Sequence, residues 1–350
     1  MNIEQKYKKY NNKKIFIILA TLMLVMIIAL CSLTYATSSS LLDALKAVIN
    51  YCLGTPFCGE NASTDKVLVL LRLPRICLAI LAGIGLAVSG LMMQSVTRNF
   101  LVSPFTLGVS SSAAFGASLC IVFGNDTIFF NDFLIIGSAF ISSMAGLAVV
   151  FMVVNRIGVT ANSIILVGIA LNYFFAAMTA SLQFFAKENK LAAVVQWTFG
   201  TFNRANWHAV TVIGIVMIIG CVLVSRYMIK WNAMASGDDE LVKSLGLNPE
   251  RLRGETMLIA VVLTATIISF TGVIGFVGLI APHIARLLVG NDHSFLLPMT
   301  ACVGAILLLI SDVLGKFMLY PVDIPVGIVV SFVGVPVFIN LILQNRKSGL

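Results

Sequence analysis

The chain has 350 residues, of which 59% are hydrophobic and 11% charged, with a mean hydropathy of +1.00 and a net charge of +8. That composition lies far outside soluble globular usage and excludes a soluble enzyme or a soluble nucleic-acid-binding module. The basic excess reads instead as the charge bias of cytoplasmic loops, and residues 1–350 form one membrane domain.

Residues 1–14 carry five lysines (Lys6, Lys8, Lys9, Lys13 and Lys14) ahead of an apolar run from Ile15 to Leu33. The run is too long for a typical signal-peptide core and no A-x-A site follows, so it is a first transmembrane helix with a basic cytosolic N-terminus. Cys52 and Cys58 share the loop after it. They form a disulfide if that loop is extracytoplasmic, or stand as two thiols; both readings remain open. Cys31, Cys77, Cys120, Cys221 and Cys302 lie in apolar segments and read as small core residues. No Cys/His group has metal-ligand spacing, and no metal or other cofactor is expected.

Charge-poor intervals predict ten spans, at 15–35, 76–97, 105–123, 133–154, 163–185, 207–225, 256–273, 275–290, 297–315 and 325–344. The eighth is short, Gly-rich and carries Pro282, His283 and Arg286, which suits a segment inside the bundle rather than against lipid. Ten spans put both termini on one side, and the segments on that side hold 15 of the 23 Lys and Arg residues, which makes it the cytosol.

Gly83, Gly85 and Gly90 precede Arg98 much as Gly272, Gly275 and Gly278 precede Arg286, the last Gly standing eight residues before each Arg. This is the pattern of a paired repeat, although glycine is common wherever membrane helices meet closely. Gln94, Ser95, Ser110, Ser111, Ser112, Asn172, Tyr173 and Gln183 lie within spans, more as interhelical glue than as a pathway lining. Thr160-Ala161-Asn162-Ser163 precedes the fifth span and supplies capping residues. Asp312 is a carboxylate near a span end, where a structural hydrogen-bond role competes with a functional one.

The most distinctive stretch is Gly237 to Arg253, GDDELVKSLGLNPERLR, a polar segment between two spans. It predicts a short helix, a Gly turn and a second short helix. Asp238, Asp239 and Glu240 sit in the first turn, where the helix dipole favours negative charge; Leu241 and Leu245 share one face, with Ser244 between them. Gly246 suits the C′ position and Pro249 the next helix start. Such a hook looks like something moved by a soluble partner. There is no GxxxxGK[ST] loop, no HExxH and no GxSxG elbow, so the chain is not expected to be an enzyme or to hydrolyse ATP by phosphate-loop chemistry.

Arg72-Leu-Pro-Arg75 opens a longer resemblance. RLPR, LAGIGLAVSGLMMQSVTRN and LVSPFTLGVSSSAAFGA, then FTGVIGFVGLIAPHIARLLVGNDHSFLLP, LISDVLGK and VDIPVGIVVSFVGVPVFINLIL, resemble in order the FecCD-type permeases of binding-protein-dependent ABC importers for iron–siderophore, haem and cobalamin. The resemblance runs from about Arg72 to Leu343; Phe100 departs from it, standing where the family commonly shows Pro.

The resemblance implies an all-α type II importer permease fold of about ten transmembrane helices, in a bacterial cytoplasmic membrane. It implies as partners a second permease subunit, identical or paralogous, two cytosolic ATPases and an extracytoplasmic solute-binding protein. It assigns Gly237–Gly246 to coupling helices that enter a groove on the ATPase, with Asp238, Asp239 and Glu240 near basic ATPase residues and Leu241 and Leu245 in the groove. It places Arg72, Arg75 and Lys316 at the external mouth as docking cations for the binding protein, although membrane-interface anchoring would use the same residue types. It makes Thr160 to Ser163 an inner gate. The expected cargo is a ferric siderophore, with haem or cobalamin as alternatives. An ion-coupled secondary transporter would need charged midplane residues, and an intramembrane enzyme a catalytic constellation; neither is visible.

Overall fold

The computed structural model describes residues 3–34, 41–54, 62–124, 128–235, 237–319 and 322–347. Cys58 lies outside the described residues, and with it the question of its pairing with Cys52.

The described chain is helical: α1 (Ile3–Thr34), α2 (Leu41–Cys52) and α3 (Ala62–Val67), which runs through a π-helical turn at Leu68–Arg72 into α4 (Leu73–Thr97). A 3₁₀ turn at Pro104–Leu107 leads to α5 (Val109–Phe123), followed by α6 (Ile128–Ile157), α7 (Ala161–Phe185), α8 (Glu188–Thr198), α9 (Trp207–Ser225) and α10 (Met228–Ala235). Then come α11 (Asp239–Ser244), α12 (Pro249–Thr271), α13 (Val277–Val289), α14 (His293–Phe317) and α15 (Val326–Lys347).

Seven of these helices are long and apolar enough to cross a bilayer, and three shorter apolar ones, Val109–Phe123, Val277–Val289 and Val326–Asn340, fill the remaining places in the expected order of ten. α13 has 13 residues. At about 1.5 Å per residue it falls short of the ~30 Å hydrocarbon thickness, so it survives only within the bundle. Its face Val277, Gly278, Ala281, Pro282 and Ala285 is buried, as expected for the eighth interval.

α4 is the centre of the bundle. Lipid gives apolar side chains no reason to leave it, so helices there associate through close backbone approach at small residues. A Cβ on Gly83 would overlap the backbone of Gly304 on α14, and one on Gly90 would overlap the carbonyl of Gly278 on α13. The last glycines of the two sequence repeats therefore face each other at one helix crossing. Gly272 and Gly275 serve differently: with Phe276 they form the break between α12 and α13, where Gly272 has φ +74° and Phe276, a non-glycine, φ 64°.

The helices define two ends. α9 ends, α10 and α11 lie, and α12 begins at one end, with Arg98 and the start of α14; this is called the hook end. Arg75, the other end of α12 and the end of α14 mark the far end. The ammonium of Lys14 lies 4.9 Å from the Phe295 ring centroid, and Phe338 of α15 shares a cavity with Arg98. Both terminal spans thus reach the hook end.

Three short helices escape the hydropathy pattern. α2 buries Ala44 and Ala47, α8 buries Val194 and Trp197, and α10 buries Trp231 and Met234. Each is a single three-residue step on one helix face, too short to register beside full spans. The cysteine reading also changes. Cys31 and Cys221 are exposed, and Cys77, Cys120 and Cys302 only partly buried. In a bilayer the outside of the bundle is apolar too, so an apolar setting does not place a thiol in the core.

Candidate functional site: the hook and the two ends of the bundle

The hook is built by local chain chemistry. Asp238 caps α11, its carboxylate accepting from the Leu241 amide at 2.9 Å. At the other end the Leu247 amide donates to the Val242 carbonyl at 3.2 Å and the Gly246 amide to Lys243 at 2.9 Å. That is a Schellman stop, with Gly246 at φ +80° in the C′ position anticipated for it. Asn248 then caps the next helix through the Arg251 amide at 3.1 Å, and Pro249 opens it. This second helix is not separate: it is the first turn of α12, which continues through Gly254 into the membrane segment and ends only at Gly272.

Val242 is fully buried, whereas Leu241 and Leu245 are 44% and 58% exposed. Two leucines four apart are left uncovered on a polar tip, with Asp238, Glu240 and Ser244 exposed around them and Gly237 half-buried beneath Leu241. Asp239 departs from expectation. With its side chain 38% exposed, it takes a two-pronged ion pair from Arg253, with Nη1 and Nη2 each 2.8 Å from a carboxylate oxygen, and a further bond from Arg98 Nη1 at 2.9 Å. The Arg253 hydrogen bond, helped by the charge of both arginines and opposed by partial burial, holds the Asp239 carboxyl below its ordinary value. A depressed carboxylate contributes its stabilisation at neutral pH and loses it only as pH falls through that lowered value.

Both arginines are tied elsewhere. Arg98, in left-handed conformation (φ 52°) at the end of α4, donates from Nε to the Met234 carbonyl at 2.6 Å. Arg253, buried at 4% exposure, donates from Nε to the Val96 carbonyl and from Nη1 to the Val159 carbonyl, both at 3.2 Å.

Val159 leads directly into Thr160–Ser163. Thr160 is the cap of α7, accepting from the Ser163 amide at 3.1 Å, with the two hydroxyls 2.8 Å apart. Ala161 and Asn162 line a cavity of ≈430 Å³ together with Thr97, Arg98 and Phe100. Phe100 carries the Arg286 guanidinium 4.4 Å from its ring centroid, a cation–π contact that the proline common at this position would not supply. Arg286 also donates to Gln94 Oε1 at 2.6 Å, and Gln94 reaches the Gly278 carbonyl at 3.4 Å.

At the far end, Asp312 is 2% exposed and lies 2.8 Å from Arg75 and 2.7 Å from Lys316. Arg75 also donates to Asn203 at 2.6 Å and reaches Asp323 at 3.3 Å. Arg75 and Lys316 are thus already neutralised within the chain, and Asp312 is the hub of an ion-pair network joining α4 to α14. Arg72 donates to the Leu33 carbonyl at 3.3 Å. The i, i+4 spacing of Asp312 and Lys316 could have announced half of this network; Asn203 and Asp323 lie too far away in sequence.

The polar residues within spans do join helices. Ser111 donates to Asn172, which donates to the Phe105 carbonyl, whereas Tyr173 is 77% exposed. One junction had no sequence signal: buried His293 sits 2.6 Å from Ser95 on one side and 2.6 Å from Asn232 on the other, locking α4, α14 and α10 together. A cavity of ≈630 Å³ between the end of α8, the 273–276 break and α15 is lined by Phe199, Phe276, Phe332 and other uncharged residues.

A multi-span bundle with a charge-poor interior, whose charge is gathered at its two ends and in one rigid hook, is a transport permease. Its sequence matches the FecCD transport family over residues 16–344, and the chain belongs to that family. It is 40% identical, over 99% of both chains, to a protein of Methanocaldococcus jannaschii assigned as an ABC transporter permease. It is 32% identical to the iron(3+)-hydroxamate import system permease FhuG of Bacillus subtilis, covering 96% of this chain and 99% of that one. A solved transporter assigned to the metal-chelate type of ABC transporter, in an inward-facing conformation, superposes with a TM-score of 0.82 at 30% identity, covering 94% of this chain and 99% of that one. The chain is therefore the multi-pass permease subunit of an ABC importer and not itself an enzyme, and it works with ATPase and binding-protein partners.

Proposed function

We propose that the chain carries a ferric siderophore across the cytoplasmic membrane, driven by ATP hydrolysis on two partner ATPases, with both termini and the hook in the cytosol. The observation that carries the reading is the hook: two uncovered leucines on a tip held rigidly to α4 and α12. A rigid tip transmits displacement, whereas a loose loop would absorb it. Lys14, Arg98, Arg226, Lys230, Lys243 and Arg251 cluster at the hook end, which supports a cytosolic location. The uncharged cavity suits a bulky chelate that is bound weakly and released, and FhuG's hydroxamate cargo supports a siderophore, with haem as the alternative because the hemin permease HmuU of Yersinia pestis is 34% identical. Uptake of a radio-iron-labelled ferric hydroxamate by vesicles holding the whole importer tests this: ATP-dependent uptake is expected, and haem or cobalamin uptake without it would overturn the cargo.

In this reading Leu241 and Leu245 enter the ATPase groove, with Asp238 and Glu240 facing its basic residues and Gly237, Ser244 and Gly246 shaping the tip; Asp239 serves as the inward anchor. Burying one leucine contributes about 1.5–3 kcal/mol. Leu245→Glu is therefore expected to weaken ATPase association by roughly 10- to 100-fold, read by titrating detergent-solubilised permease with ATPase subunit. Undiminished affinity would remove Leu245 from the interface.

Arg72, Arg75 and Lys316 are the docking cations at the far end, Arg75 and Lys316 contributing to the mouth as part of the Asp312 network. Arg72→Glu is expected to slow binding-protein association, more strongly at low salt, in stopped-flow mixing. A rate independent of both the substitution and salt would instead favour anchoring to headgroups. Thr160, Ala161, Asn162 and Ser163 form the inner gate, a reading supported by the cavity that Ala161 and Asn162 share with Phe100.

A further inference from the structure

We infer that Arg253 is the positioning residue that transmits hook movement to the inner gate. The inference rests on the reading of the hook as the ATPase contact and of 160–163 as the gate, and adds the physical link between them. Arg253 uses its fork in three directions. Two bonds of 2.8 Å hold Asp239 of the hook, one of 3.2 Å holds the Val96 carbonyl near the end of α4, and one of 3.2 Å holds the Val159 carbonyl at the entrance to the gate.

The three partners come from separate parts of the chain, 14, 157 and 94 residues from Arg253. They share no helix, and the guanidinium is their common point. Its planar, five-donor geometry fixes the directions of the bonds, so a displacement of Asp239 turns the whole fork and pulls on both carbonyls. At 4% exposure the side chain has no water to substitute for a lost partner, and the bonds are kept as the hook moves. Arg98 adds a second strand, since it touches Asp239 and also lines the gate cavity. An anchor that merely held the hook in place would need the Asp239 contact alone; the bond to Val159 is what makes the arginine a link.

The test uses the complete importer reconstituted with its ATPases and binding protein, and reads molecules of ferric hydroxamate imported per ATP hydrolysed. Arg253→Gln is expected to lower that ratio about 5- to 150-fold, the usual span of coupling free energies. ATP hydrolysis and the assembly of the complex persist. Arg253→Lys keeps the charge but loses the fork, and is expected to recover part of the ratio. A purely structural role would lower assembly and hydrolysis together and leave the ratio unchanged. If Arg253→Gln does not fold, Asp239→Asn keeps Arg253 and both carbonyl bonds while weakening the hook contact, and the same drop in ratio is expected. An unchanged ratio in the folded variants overturns the inference. Failure of the underlying reading shows separately: Leu245→Glu would then assemble with the ATPase and import like the unmodified chain.

Discussion

Gly90→Val is expected to abolish the folded permease. The first side-chain carbon on residue 90 would overlap the backbone of Gly278, and backbone at a helix crossing cannot rotate away as a side chain would. Overpacking a core ordinarily costs 1–3 kcal/mol, roughly, and more where only a helix displacement gives relief. Here α4 and α13 would have to separate, taking with them the Gln94–Gly278 and Arg286–Gln94 bonds beside the crossing. Against a total stability of about 5–15 kcal/mol that loss is decisive. The measurement is the yield of monodisperse protein by size-exclusion chromatography after membrane extraction. Gly137→Ala is the control, since a Cβ there meets nothing within 4 Å and should be silent. Wild-type yield from Gly90→Val would mean that the two helices do not approach closely at that crossing.

Asp312→Ala is expected to be the next most damaging change. It removes the shared partner of Arg75 and Lys316, whose side chains are only 14% and 22% exposed, and leaves Arg75 with Asp323 at 3.3 Å as its one close carboxylate among the described residues. Breaking a buried ion pair from one side costs about 3–5 kcal/mol, because a charge is left without compensation. The melting temperature of the purified permease should fall by many degrees. Replacing all three with apolar residues, as Arg75→Met, Asp312→Leu and Lys316→Met together, should restore much of it, since pair and desolvation largely cancel. If the single variant melted with the wild type, the network would be a surface feature and Asp312 a candidate for a pathway role.

How much of this was legible in the sequence follows the reach of each interaction. The hook's outline was readable because a cap, a C′ glycine and a proline act on residues within one turn: Asp238, Gly246, Asn248 and Pro249 do what their types suggest. The inward role of Asp239 was not, because one of its partners, Arg98, lies 141 residues away. Arg75 shows the same limit. Alone it reads as an exposed docking cation, and only the approach of Asp312 from 237 residues along the chain turns it inward. The spans were readable because a bilayer imposes one long apolar signature, while α2, α8 and α10 answer to packing against neighbours and carry no such mark.

The break after α12 has a consequence for how the chain is made. Thr201 donates its amide to the Thr271 carbonyl at 2.7 Å, and Gly327 donates to Gly200 at 3.3 Å. A Cβ on Gly327 would overlap the Phe199 carbonyl, and one on Gly200 the Val273 carbonyl. The non-helical backbone at 199–201 thus bonds the last turn of α12 on one side and the first turn of α15 on the other, satisfying helix-end groups away from water. Gly327 leaves the ribosome more than 120 residues after Gly200. Until α15 enters the membrane, the seam at 199–201 and 271–276 has an open side. The Gly200 carbonyl gains its Gly327 donor, and the Phe199 and Val273 carbonyls their close neighbour, only once α15 is in place.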